Sequence, residues 1–92
     1  MAETLIDNTA RSRFELGVDG EQGFVDYRRS GEILFLNHVE VPPLLAGHGQ
    51  GTRLVRAVLD LIRGRGERMV PVCPFIKALI RRYPDYADLI GQ

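Results

Sequence analysis

The chain lacks several features that would otherwise decide its class. A single cysteine in 92 residues cannot form an internal disulfide, which fits a reducing compartment. No His/Cys grouping has the spacing of a zinc site, so no metal is expected. No apolar run approaches the length needed to cross a bilayer, which speaks against a membrane protein. Net charge is zero, so neither nucleic acid nor a membrane surface is favoured by whole-chain attraction. The N-terminus, Met1 to Asp7, has neither the basic start nor the apolar stretch of a secretion signal. Repeats, linkers and low-complexity tracts are absent as well. The expectation is a cytoplasmic globular protein.

A hydrophobic share of 45% and a charged share of 26% are ordinary for such a chain, and the length suits one domain over residues 1–92. Residues 1–12 show little periodicity and read as a loosely ordered lead-in. Arg13–Val18 and Gln22–Tyr27 are β-compatible runs separated by the turn signal Asp19-Gly20, which predicts a hairpin. Glu32 to Val41 reads as a long strand ended by Pro42 and Pro43. Its continuous apolar stretch Ile33–Leu36 predicts cover on both faces.

From Gly49 to Gly64 the spacing of Leu54, Val55, Val58, Leu59, Leu61 and Ile62 predicts an amphipathic helix. Met69–Val72 is a short strand whose proline predicts a bulge or an opening of the sheet. Pro74 opens a second helix with Phe75, Ile76, Leu79, Ile80 and Tyr83 inward, and Pro84 ends it. Asp85 then caps a short last helix. The fold expected is α+β in the order βββαβα: an antiparallel three-strand sheet, a helix, a fourth strand and a second helix. Its one crossover should be right-handed.

Between the long strand and the first helix stands Ala46-Gly47-His48-Gly49-Gln50-Gly51-Thr52. Alternate glycines remove the Cβ atoms that would hold a ligand off the backbone and allow successive N–H groups to converge. The following helix N-terminus adds unpaired N–H groups and a positive dipole end. An ordinary surface loop is the plainer alternative. A Walker-type loop would need Lys and then Ser or Thr after the last glycine, whereas Thr52 and Arg53 follow Gly51. A dinucleotide fingerprint needs G-x-G-x-x-G, and the spacing here is G-x-G-x-G. What remains suits a pyrophosphate held by Gly47, His48, Gly49, Gln50, Gly51 and Thr52 without a metal, with the backbone of His48 a better donor than its side chain.

Taken in order, His38-Val39-Glu40-Val41-Pro42, Gly47-His48-Gly49-Gln50-Gly51, Val70-Pro71-Val72-Cys73-Pro74-Phe75 and Arg81-Arg82-Tyr83-Pro84-Asp85-Tyr86 resemble a group of very small proteins in the GNAT superfamily of N-acetyltransferases. The resemblance runs from about Phe14 to Leu89. It implies that the loop grips the pyrophosphate of acetyl-coenzyme A through backbone amides. Gly49 and Gly51 match the final glycines of the superfamily pattern Q/R-x-x-G-x-G/A, whereas Ala46 stands where Gln or Arg is usual. It implies too that backbone groups near Val39 and Val41 pair with the pantetheine arm and the acetyl carbonyl. The chain is stripped of the parts that shape the acceptor site in larger relatives, so that site is open or takes walls from a partner.

Acetyl transfer to an amine needs a base for the ammonium proton and donors for the oxyanion. Strand alternation puts His38 and Glu40 on one side and Val39 and Val41 on the other, so His38 or Glu40 can be that base, directly or through water. A hydrogen-bonded structural histidine and a solvated glutamate are the alternatives. Cys73 precedes a helix N-terminus, where a thiolate is favoured. It can carry acetyl, protonate the departing thiolate or line the site, or be a small buried hydrophobe. The resemblance implies direct transfer and a cysteine beside the cofactor thiol, which favours lining or proton donation. Leu79 cannot supply the leaving-group acid that larger relatives take from a helix tyrosine, and Tyr83 sits at the helix end.

Charge is divided: residues 1–50 carry net −4 and residues 51–92 net +4. The second half can attract an anionic cofactor and the first a cationic substrate, unless both are merely solvated faces. The function expected is acetyl-CoA-dependent N-acetyl transfer to an amine on a protein, peptide or small molecule, by a monomer or weak homodimer. The alternative is a non-catalytic module that binds acyl-coenzyme A or coenzyme A and signals to a protein partner. A structural domain with no ligand is the weaker third reading.

Overall fold

The computed structural model of the chain describes residues 4–18, 21–42 and 49–91. Strands β1 (Thr4–Asn8), β2 (Arg13–Val18), β3 (Glu21–Ser30) and β4 (Ile33–Glu40) precede helix α1 (Gln50–Gly64). Strand β5 (Arg68–Pro71), helix α2 (Pro74–Arg82) and a 3-10 helix (Pro84–Leu89) follow. The five strands lie in the order β1-β2-β3-β4-β5, antiparallel except for the parallel pair β4–β5 that α1 connects.

The fold is α+β, but the sheet is mixed and has one strand more than the expected βββαβα. Residues Thr4–Asn8, read from sequence as part of a loose lead-in, form the edge strand β1. Its registration is long-range. Asp7 accepts a hydrogen bond from the Tyr27 hydroxyl at 2.7 Å and another from Arg65 at 3.0 Å, while Leu5 packs against the core. Alternation in so short a segment offers only Leu5 and Asp7 to the core side, which leaves too little apolar periodicity to mark a strand.

The buried side chains form one cluster. Phe14, Leu16, Val25, Tyr27, Leu34, Leu36 and Met69 supply the sheet side, and Leu54, Val55, Val58, Leu59 and Ile62 supply α1. Ile76, Leu79 and Ile80 from α2 and Tyr86 and Leu89 from the 3-10 helix complete it. Leu61, expected inward, is half-buried. In β4 only Leu34 and Leu36 are buried while Ile33 and Phe35 are half-buried, so the strand is not covered on both faces. The expected cap at Asp85 is replaced by a 3-10 helix that starts at Pro84, with no side-chain cap bond.

A β-bulge lies in β4. Tyr27 pairs with Leu36 but Asp26 pairs with His38, so Asn37 is the extra residue. The inward set therefore changes from even positions, Leu34 and Leu36, to odd ones, beginning with Val39 opposite Val25. His38 and Glu40 face away from the core as a result. Pairing of β4 with β5 ends at Leu36–Pro71, after which the N–H groups of Val72 and Cys73 both donate to the Leu36 carbonyl at 3.1 Å. Beyond that point β4 runs on and β5 turns into α2, and the sheet opens between them.

Candidate functional site

Among the described residues, the opening leaves one stretch of β4 without a strand neighbour on its β5 side. Tyr27 donates its N–H to the Ser12 carbonyl, just before β2, so alternation also turns Val25 toward β2. Opposite it, Val39 turns its N–H and C=O away from β3, into the gap that β5 has left. Val39 is half-buried, and Val41 continues the strand direction beyond Glu40. Two backbone groups at Val39 are thus available to a ligand lying in the opening.

The N-terminus of α1 stands beside this gap. Gly49 is its N-cap, in a left-handed conformation with φ 72°, and its carbonyl accepts the Arg53 N–H at 3.0 Å. Among the described residues no side chain caps the N–H groups of Gln50, Gly51 and Thr52, and no acidic residue of the first turn offsets the positive end of the helix dipole. A Cβ at Gly49 would meet nothing within 4 Å, so glycine here serves the backbone conformation and leaves open space in front of the turn.

Gly51 is different, because its Cβ would stand 3.2 Å from the Phe75 ring and 3.5 Å from Val41. Gln50 is buried, with its side-chain oxygen accepting from Arg53, so its backbone rather than its side chain is what it offers a ligand. Gly47 and His48, the rest of the expected cradle, lie outside the described residues.

His38 and Glu40 meet on the other face of the sheet. His38 Nε2 is 3.4 Å from Glu40 Oε1, and the side chains are 56% and 62% exposed. The Phe24 ring is tilted toward the imidazole at 6.2 Å between centroids and carries the Arg13 guanidinium 3.9 Å from its centre. Arg13 also approaches Asp26 at 3.4 Å. The pair is reachable from solvent, and neither side chain is held by a buried partner.

Cys73 occupies the opposite wall. It is buried, it is the N-cap of α2, and its carbonyl accepts the N–H groups of Ile76 and Lys77. Its own N–H binds the Leu36 carbonyl, which puts the cysteine where β4 and β5 part. Cys73 thus lies on the helix side of the sheet at the head of the opening, whereas His38 and Glu40 face away from the helices. Sequence periodicity missed Phe75. Read as a core residue of α2, it is 44% exposed and lies against α1, while Tyr83, also expected inward, is half-buried.

Two surface cavities lie elsewhere. One of about 510 Å³ is lined by Arg56, Asp60, Arg63, Tyr83, Tyr86 and Asp88, and one of about 350 Å³ by Leu5, Leu16, Arg53, Arg56, Ala57 and Asp60. The first is knitted by polar contacts: Tyr86 donates to Asp60 at 2.9 Å, and Arg63 binds Asp88 through two nitrogens at 2.9 Å. That bond to Arg63 holds the Asp88 carboxyl below its ordinary value. Neither cavity contains His38, Glu40 or Cys73. The described residues contain no group of three or more potential metal ligands.

The family model for the GCN5-related N-acetyl-transferases matches residues 13–89. The chain belongs to this N-acetyltransferase family. A structure similar to it is the NMR solution structure of a GCN5-like candidate N-acetyltransferase from Staphylococcus aureus, with a TM-score of 0.70 at 22% identity. The match covers 96% of this chain and 87% of that one, and it shows that the two share a fold. None of the curated proteins matches the sequence significantly. Acyl transfer is the chemistry of the family, acetyl-coenzyme A its general donor and an amine its general acceptor. No described helix of this acetyltransferase is long and apolar enough to cross a membrane.

Proposed function

We propose that the protein transfers acetyl from acetyl-coenzyme A directly to an amine, with both substrates bound together at the opening between β4 and β5. The observation that carries this reading is the uncapped first turn of α1 standing beside the free edge of Val39. The N–H groups of Gln50, Gly51 and Thr52 suit the pyrophosphate, with Gly49 giving the backbone approach, and the same role for Gly47 and His48 rests on the glycine pattern of the sequence. The backbone of Val39 and Val41 suits the amides of the pantetheine arm and the acetyl carbonyl. Acetyl-coenzyme A supplies an activated thioester.

The chain's own residues do the rest. His38 or Glu40 takes a proton from the acceptor ammonium, the amine lone pair forms the new C–N bond as the C–S bond breaks, and the nitrogen releases its second proton to solvent to leave a neutral amide. Cys73 lines the opening beside the sulfur and supplies a proton to the departing thiolate. The solvent-facing position of His38 and Glu40 suits an acceptor arriving from the face away from the helices. The same reading takes the protein to be cytoplasmic.

Release of free thiol from acetyl-coenzyme A, measured against a panel of primary amines, tests the assignment. Wild type should turn over, and His38→Ala or Glu40→Gln should lower kcat by about 10²- to 10⁴-fold with little change in KM for acetyl-coenzyme A. Unchanged turnover in both variants and in Cys73→Ala would remove all three from the mechanism. A second reading, a module that binds acyl-coenzyme A without catalysis, is favoured by the exposure of His38 and Glu40 outside both cavities. It requires binding of acetyl-coenzyme A with no thiol release for any amine.

A further inference from the structure

Phe75 is large, apolar and 44% exposed at the start of α2. One exposed aromatic is ordinary on a protein surface, but the seat of this one is not. Its ring tip rests over the backbone of Gly51, where an added Cβ would lie 3.2 Å from Cζ and 3.6 Å from Cε2. Val41 closes the same spot, with Cγ2 at 3.5 Å. Gly51 has no left-handed backbone, so chain geometry does not demand glycine there. The close approach of the ring does.

Phe75 therefore brings together the first turn of α1, the continuation of β4 and the first turn of α2. These segments border the opening, and Phe75 links its two ends, standing two residues beyond Cys73 in the chain with its ring tip against Gly51. At one end are the uncapped N–H groups of α1, at the other Cys73 beside Leu36. An extended ligand whose anionic head meets α1 and whose sulfur meets Cys73 has to pass this ring. We propose that Phe75 is a binding residue for the pantetheine arm, forming with Val41 an apolar wall that holds the arm's methyl and methylene groups. The inference rests on the acetyl-coenzyme A reading above and adds a residue to it.

Calorimetric titration of wild type, Phe75→Ala and Phe75→Leu with coenzyme A and with 3′-phospho-ADP, the fragment that lacks the arm, separates the possibilities. Phe75→Ala should weaken coenzyme A about tenfold, the effect of withdrawing roughly 50 Å² of apolar contact from the bound state. Its affinity for 3′-phospho-ADP should stay at the wild-type value, which also shows that the variant is folded. Phe75→Leu should fall between. Unchanged coenzyme A affinity in both variants overturns the proposal, and so does equal weakening of both ligands, since Phe75 would then only brace the phosphate end. A wild type that binds neither ligand overturns the cofactor reading itself, and the apolar wall with it.

Discussion

Replacing Asp7 with alanine tests the anchoring of the edge strand, and its cost follows from two contacts. The Tyr27 hydroxyl donates to Asp7 at 2.7 Å from a residue only 7% exposed, its ring 4.8 Å from that of Phe14. Without the carboxylate that hydroxyl is left buried and unpaired, at about 1–3 kcal/mol. The second contact is Arg65 to Asp7 at 3.0 Å, with the arginine 38% exposed, and it is worth about 0–1 kcal/mol. The sum, about 1–4 kcal/mol, corresponds to a fall in Tm of roughly 5–30 °C for a domain of this size. Tyr27→Phe removes the donor without stranding a polar group and should cost only about 1 kcal/mol. In a double-mutant cycle read by urea unfolding, the pair should show a coupling of about 1–2 kcal/mol. Affinity for coenzyme A should not change while the variants are folded, because β1 is three strands from the opening. An Asp7→Ala variant within about 0.5 kcal/mol of wild type, or strict additivity with Tyr27→Phe, would refute the anchoring argument.

Burial first, and then the bond to Asp7, push the Tyr27 hydroxyl up to about 12 from an ordinary 10.0. The folded value is the higher one, so this stabilisation is intact below pH 10 and is lost as pH rises toward 12; urea unfolding that is flat across that window would contradict it. Arg63 clamps the 3-10 helix through Asp88 and through the Asp85 carbonyl at 2.8 Å. Arg63→Ala should leave the urea midpoint almost unmoved yet speed amide exchange in residues 85–89, and unchanged exchange would count against the clamp. Since the Asp88 carboxyl titrates below its ordinary value, the same loosening should appear as pH falls through that lowered value. Gly49→Val carries about 1–2 kcal/mol of backbone strain at φ 72° but meets nothing within 4 Å. It should fold and lose coenzyme A binding, and wild-type affinity would remove Gly49 from the cradle.

What was legible in the sequence was local. Gly49, Gly64 and the apolar stripe between them delimit α1 because helix signals act within a turn or two of where they stand. Pro74 and Pro84 frame α2 for the same reason. The shared side of His38 and Glu40 follows from the period of a strand. It holds only because both residues lie after the bulge at Asn37, which no glycine or proline marks. What was not legible depends on distant partners. β1 is held by residues 20 and 58 positions away, and nothing within Thr4–Asn8 announces them. Phe75 fits the inward pattern of α2, yet the first turn of α1 draws it aside, through a contact that periodicity in one helix cannot express.

The most direct test of the site is a map of amide chemical shifts during titration with acetyl-coenzyme A. The largest changes should fall on Val39, Gly49 to Thr52, Cys73 and Phe75, with the 3-10 helix unmoved. Changes confined to the Arg56–Asp88 cavity, or none at all, would contradict the assignment of the opening between β4 and β5 as the cofactor site.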